Sequence, residues 1–137
     1  MQSVPDEVIE RMVIRTLEQG GATFDITTHS LIEPDCYWYF PKHPSRTRIV
    51  DQDQLHSELL VYIEQNHDVC GEVDVWLGTW INPHSSKCYL DITTKLADKS
   101  EAIRGARRAS ETEARKIITI YNPELKQTEY VWDDVRF

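Results

Sequence analysis

The sequence predicts an α+β fold: an antiparallel sheet of hairpins with helices packed on one face, in the order α-ββ-(β)-α-ββ-α-ββ. Three observations predict it. Apolar residues recur at helical spacing in three segments, they alternate with polar residues in several others, and two alternating pairs turn over nearly the same tip. One pair runs Thr79-Trp80-Ile81-Asn82-Pro83 and returns through Cys88-Tyr89-Leu90-Asp91. The other runs Thr119-Ile120-Tyr121-Asn122-Pro123 and returns through Thr128-Glu129-Tyr130. Asn suits the first position of a turn and Pro presets φ at the second, so each Asn-Pro marks a reversal.

The first element is a helix, with Ser3 as N-cap, Pro5 in the first turn, and Asp6 and Glu7 complementing the helix dipole. Val4, Val8, Ile9, Met12, Val13 and Leu17 form its apolar stripe, and Gly20-Gly21 ends it. Residues 22–28 alternate Ala22, Phe24 and Ile26 against Thr23, Asp25 and Thr27, a half-buried strand. Its expected return partner is the aromatic run 36–40, stopped by Pro41. His43-Pro44-Ser45 is a turn, and residues 46–50 suit a short strand.

A second helix is expected over residues 51–65. Asp51 and Gln54 have capping-box spacing, and Leu55, Leu59, Leu60 and Ile63 supply the buried stripe. Residues 73–81 and 87–94 form the central hairpin. Asp98 with Glu101 caps a third helix, whose inward residues Ala102, Ile103, Ala106 and Ala109 are small enough for close packing. Residues 117–121 and 128–132 form the last hairpin, and 133–137 a short C-terminal tail. No Pro/Gly/Ser-rich stretch divides the chain, so residues 1–137 read as one globular domain.

A chain of 137 residues can bury a core without disulfides or metal, and an apolar fraction of 40% with four tryptophans argues against disorder. No apolar run approaches membrane-spanning length, and residues 1–7 lack a basic start and an apolar signal core. A soluble, cytoplasmic protein is the expectation. Cys36, Cys70 and Cys88 are odd in number without CxxC spacing and read as reduced thiols. Charge is uneven: residues 1–98 carry 16 acids against 7 bases, whereas residues 99–137 carry 7 against 8. An acidic body repels phosphate, so duplex nucleic acid is disfavoured as a partner and a basic protein surface is favoured.

His67-x2-Cys70-x13-His84-x3-Cys88 imitates zinc-ligand spacing. Yet His84 sits at a hairpin tip, and His67 and Cys70 precede the first strand of that hairpin. About nine extended residues at about 3.3 Å each put them roughly 25–30 Å apart, too far to share an ion. No metal, cofactor or catalytic motif is expected, since there is also no Gly-rich phosphate loop and no nucleophile elbow. What remains is a candidate binding set. Asp74 and Asp91 lie with Asp25 on strands and face away from the helices. Trp76 shares its facing with Asp74 and Gly78, so it and Trp80 are aromatics available to the polar sheet face. Arg104, Arg107 and Arg108 share one side of the third helix, as an anion patch or a solvated face.

From Leu77-Gly78-Thr79-Trp80 through Tyr89-Leu90-Asp91-Ile92, the chain resembles a group of small uncharacterised proteins of bacteriophages, prophages and actinobacterial genomes. They share a Gly-x-Trp, a Tyr-Leu-Asp strand, a charged helix (here 99–108) and a closing strand (here Ile118-Ile120-Tyr121-Asn122). Residues 21–25 resemble their opening strand. At the tip, Asn82-Pro83 and Ser86 replace an acidic residue and Gly. The resemblance implies a mobile-element context and no catalytic residues. With the acidic body, it leads to the expectation of a non-catalytic interaction module, an inhibitor of a host defence or nucleic-acid-processing system that binds a host or phage protein. Two alternatives stay open: a small enzyme with a carboxylate or His site on the open sheet face, and a homo-oligomeric accessory protein that uses Trp76 or an edge strand. A concave pocket with a perturbed Asp, His or Cys would favour the enzyme.

Overall fold

A computed structural model describes residues 4–137. The expected Ser3 cap lies outside them. Helix α1 (Asp6–Gln19) follows Pro5, which holds the N-cap position in an extended conformation. Val8, Ile9, Met12 and Thr16 form its buried face, and Gly20, at φ 84°, ends it by donating its N–H to Thr16 O at 2.8 Å. The Thr16 hydroxyl is buried and paired, bonded to Met12 O and to Thr79 Oγ1 at 2.7 and 2.6 Å.

Strands β1 (Gly21–Asp25), β2 (Ser30–Ile32), β3 (Trp38–Pro41) and β4 (Arg48–Val50) follow, then α2 (Leu55–Gln65) and the short α3 (His67–Cys70). The central hairpin is β5 (Trp76–Ile81) and β6 (Cys88–Leu96). Helix α4 (Lys99–Glu113), β7 (Thr119–Asn122) and β8 (Gln127–Tyr130) complete the chain. The strands make one antiparallel sheet ordered β2-β1-β5-β6-β3-β7-β8, with β4 pairing the first half of β6. The fold is α+β as predicted.

Register fixes the two faces. Leu77, Leu90, Ile92 and Phe24 share the helix side and lie under α1 and α2, while Trp38, Phe40 and Ile120 on that same side lie under α4. All the long helices therefore cover one face. Both Asn-Pro tips are built alike: Asn82 and Asn122 are buried, and their side-chain oxygens accept the N–H groups of His84 and Leu125 at 2.8 and 3.0 Å. Ser86 and Lys126, each four residues after its Asn, take left-handed φ values of 61° and 54°.

Four local expectations are corrected. The partner of β1 is β2, reached through a turn in which Asp25 accepts the N–H groups of Thr27 and Thr28. The aromatic run instead forms β3 between β6 and β7, where Trp38 and Phe40 fill the space beneath α4. Asp51 makes no cap bond: residues Gln52–Gln54 are a 3-10 turn, and the Asp51 carboxylate pairs with Lys87. In α2 the buried stripe uses Tyr62, and Leu60 is exposed. Residues 73–75 are not in the strand: Val73 is fully exposed and Asp74 leaves to pair with Lys42 at 2.7 Å. Asp98 does cap α4, accepting Glu101 N–H at 2.9 Å.

Ala102, Ala106 and Ser110 bring α4 close to the sheet. The approach is tightest at Gly105, where a Cβ would stand 2.9 Å from the Phe40 ring. Gly105→Ala should therefore lower stability by about 1 kcal/mol, although alanine is the better helix former, because the buried ring must move. Urea unfolding would measure it, and a stabilised variant would contradict the packing argument. Among the described residues no helix is long and apolar enough to cross a membrane.

Candidate functional site

The face without helices is concave. Side chains from β1, β5, β6, β3 and β7 line a single cleft of about 790 Å³, within the range of small-molecule sites. Strand register shows how it is made. One row across the sheet reads Thr23 on β1, Gly78 on β5 and Asp91 on β6; the next reads Gly21, Trp80 and Tyr89, with Ile49 of β4 beside them. Tyr39 and Tyr121, paired across β3 and β7, close the opposite wall. Gly21 and Gly78 lie where neighbours come close: a Cβ would stand 2.8 Å from Thr79 O at Gly21 and 3.2 Å from the Thr93 methyl at Gly78.

Asp91 is the ionisable group on that floor. Oδ1 accepts the Thr47 hydroxyl at 2.5 Å; among the described residues no hydrogen bond occupies Oδ2, which is not cut off from the cavity. Burial raises its pKa to about 6, against the Thr47 hydrogen bond and the charge of Arg115, which both pull it down. Arg115 donates from Nη1 to Thr47 O at 2.8 Å, so Asp91, Thr47 and Arg115 form one linked group.

Thr47 is held by the loop that precedes it. His43 stands between two carboxylates, with Nδ1 3.0 Å from Glu113 Oε2 and Nε2 2.8 Å from Glu72 Oε1. Burial lowers the imidazole pKa, but the hydrogen bonds and charges of Glu72 and Glu113 outweigh it, and the net shift is upward. Both ring nitrogens facing carboxylates is the geometry of an imidazolium. Glu113 also accepts Ser45 N–H and Oγ–H, Arg46 pairs with Asp68 at 2.8 Å, and the Tyr62 hydroxyl donates to Arg46 O at 2.9 Å.

At the other end, Phe137 packs into the aromatic group of Trp80, Tyr89 and Tyr130, with ring centroids 5.6, 6.1 and 6.4 Å away. Trp80 and Tyr89 meet edge to face at 5.5 Å. The segment before Phe137 is fixed by Arg107, which donates to Val131 O, and by the Trp132 indole N–H, which donates to Ile117 O.

Of the residues singled out from sequence, Asp91 and Trp80 line the cleft. Trp76 shares their face but lies against Lys95, whose ammonium is 4.8 Å from its ring and bonded to Asp35 at 2.7 Å. Asp74 sits in the ion-paired loop with Lys42. Arg104 and Arg108 are exposed on α4, on the helix side of the sheet and away from the cleft, and Arg107 holds the chain at Val131. Cys70 and Cys88 are buried, with thiol pKa values pushed up by burial to about 11, and Cys36 is exposed. Among the described residues no three His, Cys, Asp or Glu side chains stand together as a metal site.

Thr47 and Phe137 were not singled out from sequence, and Arg115, Tyr39 and Tyr121 were not among its candidate site residues. The only local sign of the site was Gly78 between two same-facing tryptophans and across from Asp91. No protein-family model, curated protein or solved structure matches this chain.

Proposed function

We propose that the open face of the sheet is a small-molecule site in which Asp91 holds or passes a proton. This is the carboxylate-site alternative raised by the sequence, and one observation carries it. The face is a cleft of about 790 Å³ with a carboxyl group at its floor whose pKa burial raises to about 6. A carboxyl poised there is suited to general acid–base exchange. The residues that perform this function are Asp91 as proton-holding group, Thr47 and Arg115 as its positioning partners, and Trp80, Tyr89 and Tyr121 as walls.

A fragment library screened against labelled protein by NMR tests the reading. Fragments should shift the Gly78 and Asp91 amides and the Trp80 indole saturably, and Asp91→Asn should weaken polar fragments at least tenfold. A library that leaves those resonances unmoved would refute it. The second reading, an inhibitor from a mobile element that binds a basic protein, is supported by the acidic excess of residues 1–98, including exposed Asp6, Glu7 and Glu10 on α1. That surface is on the helix side, so the two readings place their shifts on opposite faces.

A further inference from the structure

We infer that the cleft takes a planar heterocycle with a cyclic amide edge, its ring N–H donated to Asp91 and its carbonyl accepting from Arg115. The inference rests on the reading of the cleft as a small-molecule site and names the ligand class. Space comes first. Gly78 pairs with Asp91 across β5 and β6 and Thr23 lies one strand further out, so the residue beside the carboxylate on β5 adds no side chain to the cleft of about 790 Å³. The walls beside that position are rings, Trp80 and Tyr89 with Phe137, which favour a flat π-system over a branched aliphatic body.

The polar groups then select the edge of that ring. Oδ1 of Asp91 accepts one hydrogen bond, from Thr47, and Oδ2 is the oxygen left without a protein donor among the described residues. Arg115 spends Nη1 on Thr47 O and retains its other N–H donors, and no carboxylate pairs with it among the described residues. An acceptor and a donor therefore stand one threonine apart. A ring N–H beside a C=O, as in the lactam edge of a pyrimidine or purine, carries a donor for Asp91 and an acceptor for Arg115 on one edge. An amine would satisfy Asp91 but face Arg115, and a carboxylate would meet the reverse conflict. Neither uses the rings as well.

The full chain titrated at pH 7.5 with guanosine and uridine, and with 1-methylguanosine and 3-methyluridine, tests this by NMR. The parent nucleosides should shift the Gly78 and Asp91 amides, and N-methylation should weaken binding at least tenfold. Asp91→Asn should erase the difference between each pair, and Arg115→Met should weaken the parents. If library fragments occupy the cleft while parents and N-methyl forms bind equally or not at all, the amide-edge assignment falls and the small-molecule reading stands. If nothing enters the cleft, both fall.

Discussion

Asp91→Asn is expected to stabilise the protein by about 3 kcal/mol at pH 7.5 and by almost nothing at pH 4. The folded protein holds this carboxyl at a pKa of about 6 against an ordinary value of 3.8, a difference of about two units at about 1.4 kcal/mol each. A raised acid pKa means that the stability present below the unfolded value is lost as pH rises through the folded one. The wild type therefore loses stability between about pH 4 and 6 from this group, and the amide does not. Asn can still accept the Thr47 hydroxyl, so the native contact survives. Urea unfolding at pH 4, 5, 6 and 7.5 would trace the difference. A variant no more stable than wild type at pH 7.5 would show that Asp91 is not held in a desolvating site. A gain on removing one charged side chain is the pattern of a residue kept for chemistry and not for the fold.

The second large effect has the opposite sign. His43→Ala should destabilise the protein by about 2 kcal/mol at pH 6, because it removes two charge-assisted hydrogen bonds, one to the partly buried Glu113 and one to the exposed Glu72. His43 has a raised pKa, so its contribution is full below about 6.5 and fades as pH rises through the folded value. Glu72 is held below its usual range by the His43 hydrogen bond. Glu113 is held below its own by Ser45 and His43 against burial, so both contributions are present above about 4.5 and fade as pH falls. The three overlap between about pH 4.5 and 6.5. The cost of His43→Ala should be greatest there and smaller at pH 8.5, as read by unfolding curves across that range. A cost independent of pH would mean that packing, not charge, holds this loop. The loop carries Thr47, so His43→Ala should also loosen the partner that positions Asp91.

Features set by a few neighbouring residues were legible in the chain. The Asp98 cap and the two Asn-Pro tips depend on spacings of two to four residues and formed as read; the α1 stripe did so through Met12, but Leu17 is exposed and Thr16 takes the last buried position. Features decided by a distant partner were not. Residues 36–40 are as well suited to pair with β1 as with β6 and β7, and what decides is the shape of the space under α4. Asp51 had capping-box spacing, but Lys87, on a hairpin 36 residues later, takes its carboxylate. The site divides in the same way. Asp91 and Trp80 could be placed on the open face from strand parity alone. Thr47 and Arg115 come from segments with no periodicity, and only the β4–β6 register and the end of α4 bring them to the floor.

The sheet ends in very short strands, three residues of β2 on one side and four of β8 on the other. A free strand edge is a template for another extended chain, and the number of unpaired backbone groups sets how strongly it draws one. These two ends present only a few such groups, with Glu33 next to β2, Lys126 next to β8 and Glu129 within β8. Backbone pairing between copies therefore gains little here, and the protein can keep a broad, aromatic sheet face uncovered without inviting strand-to-strand aggregation.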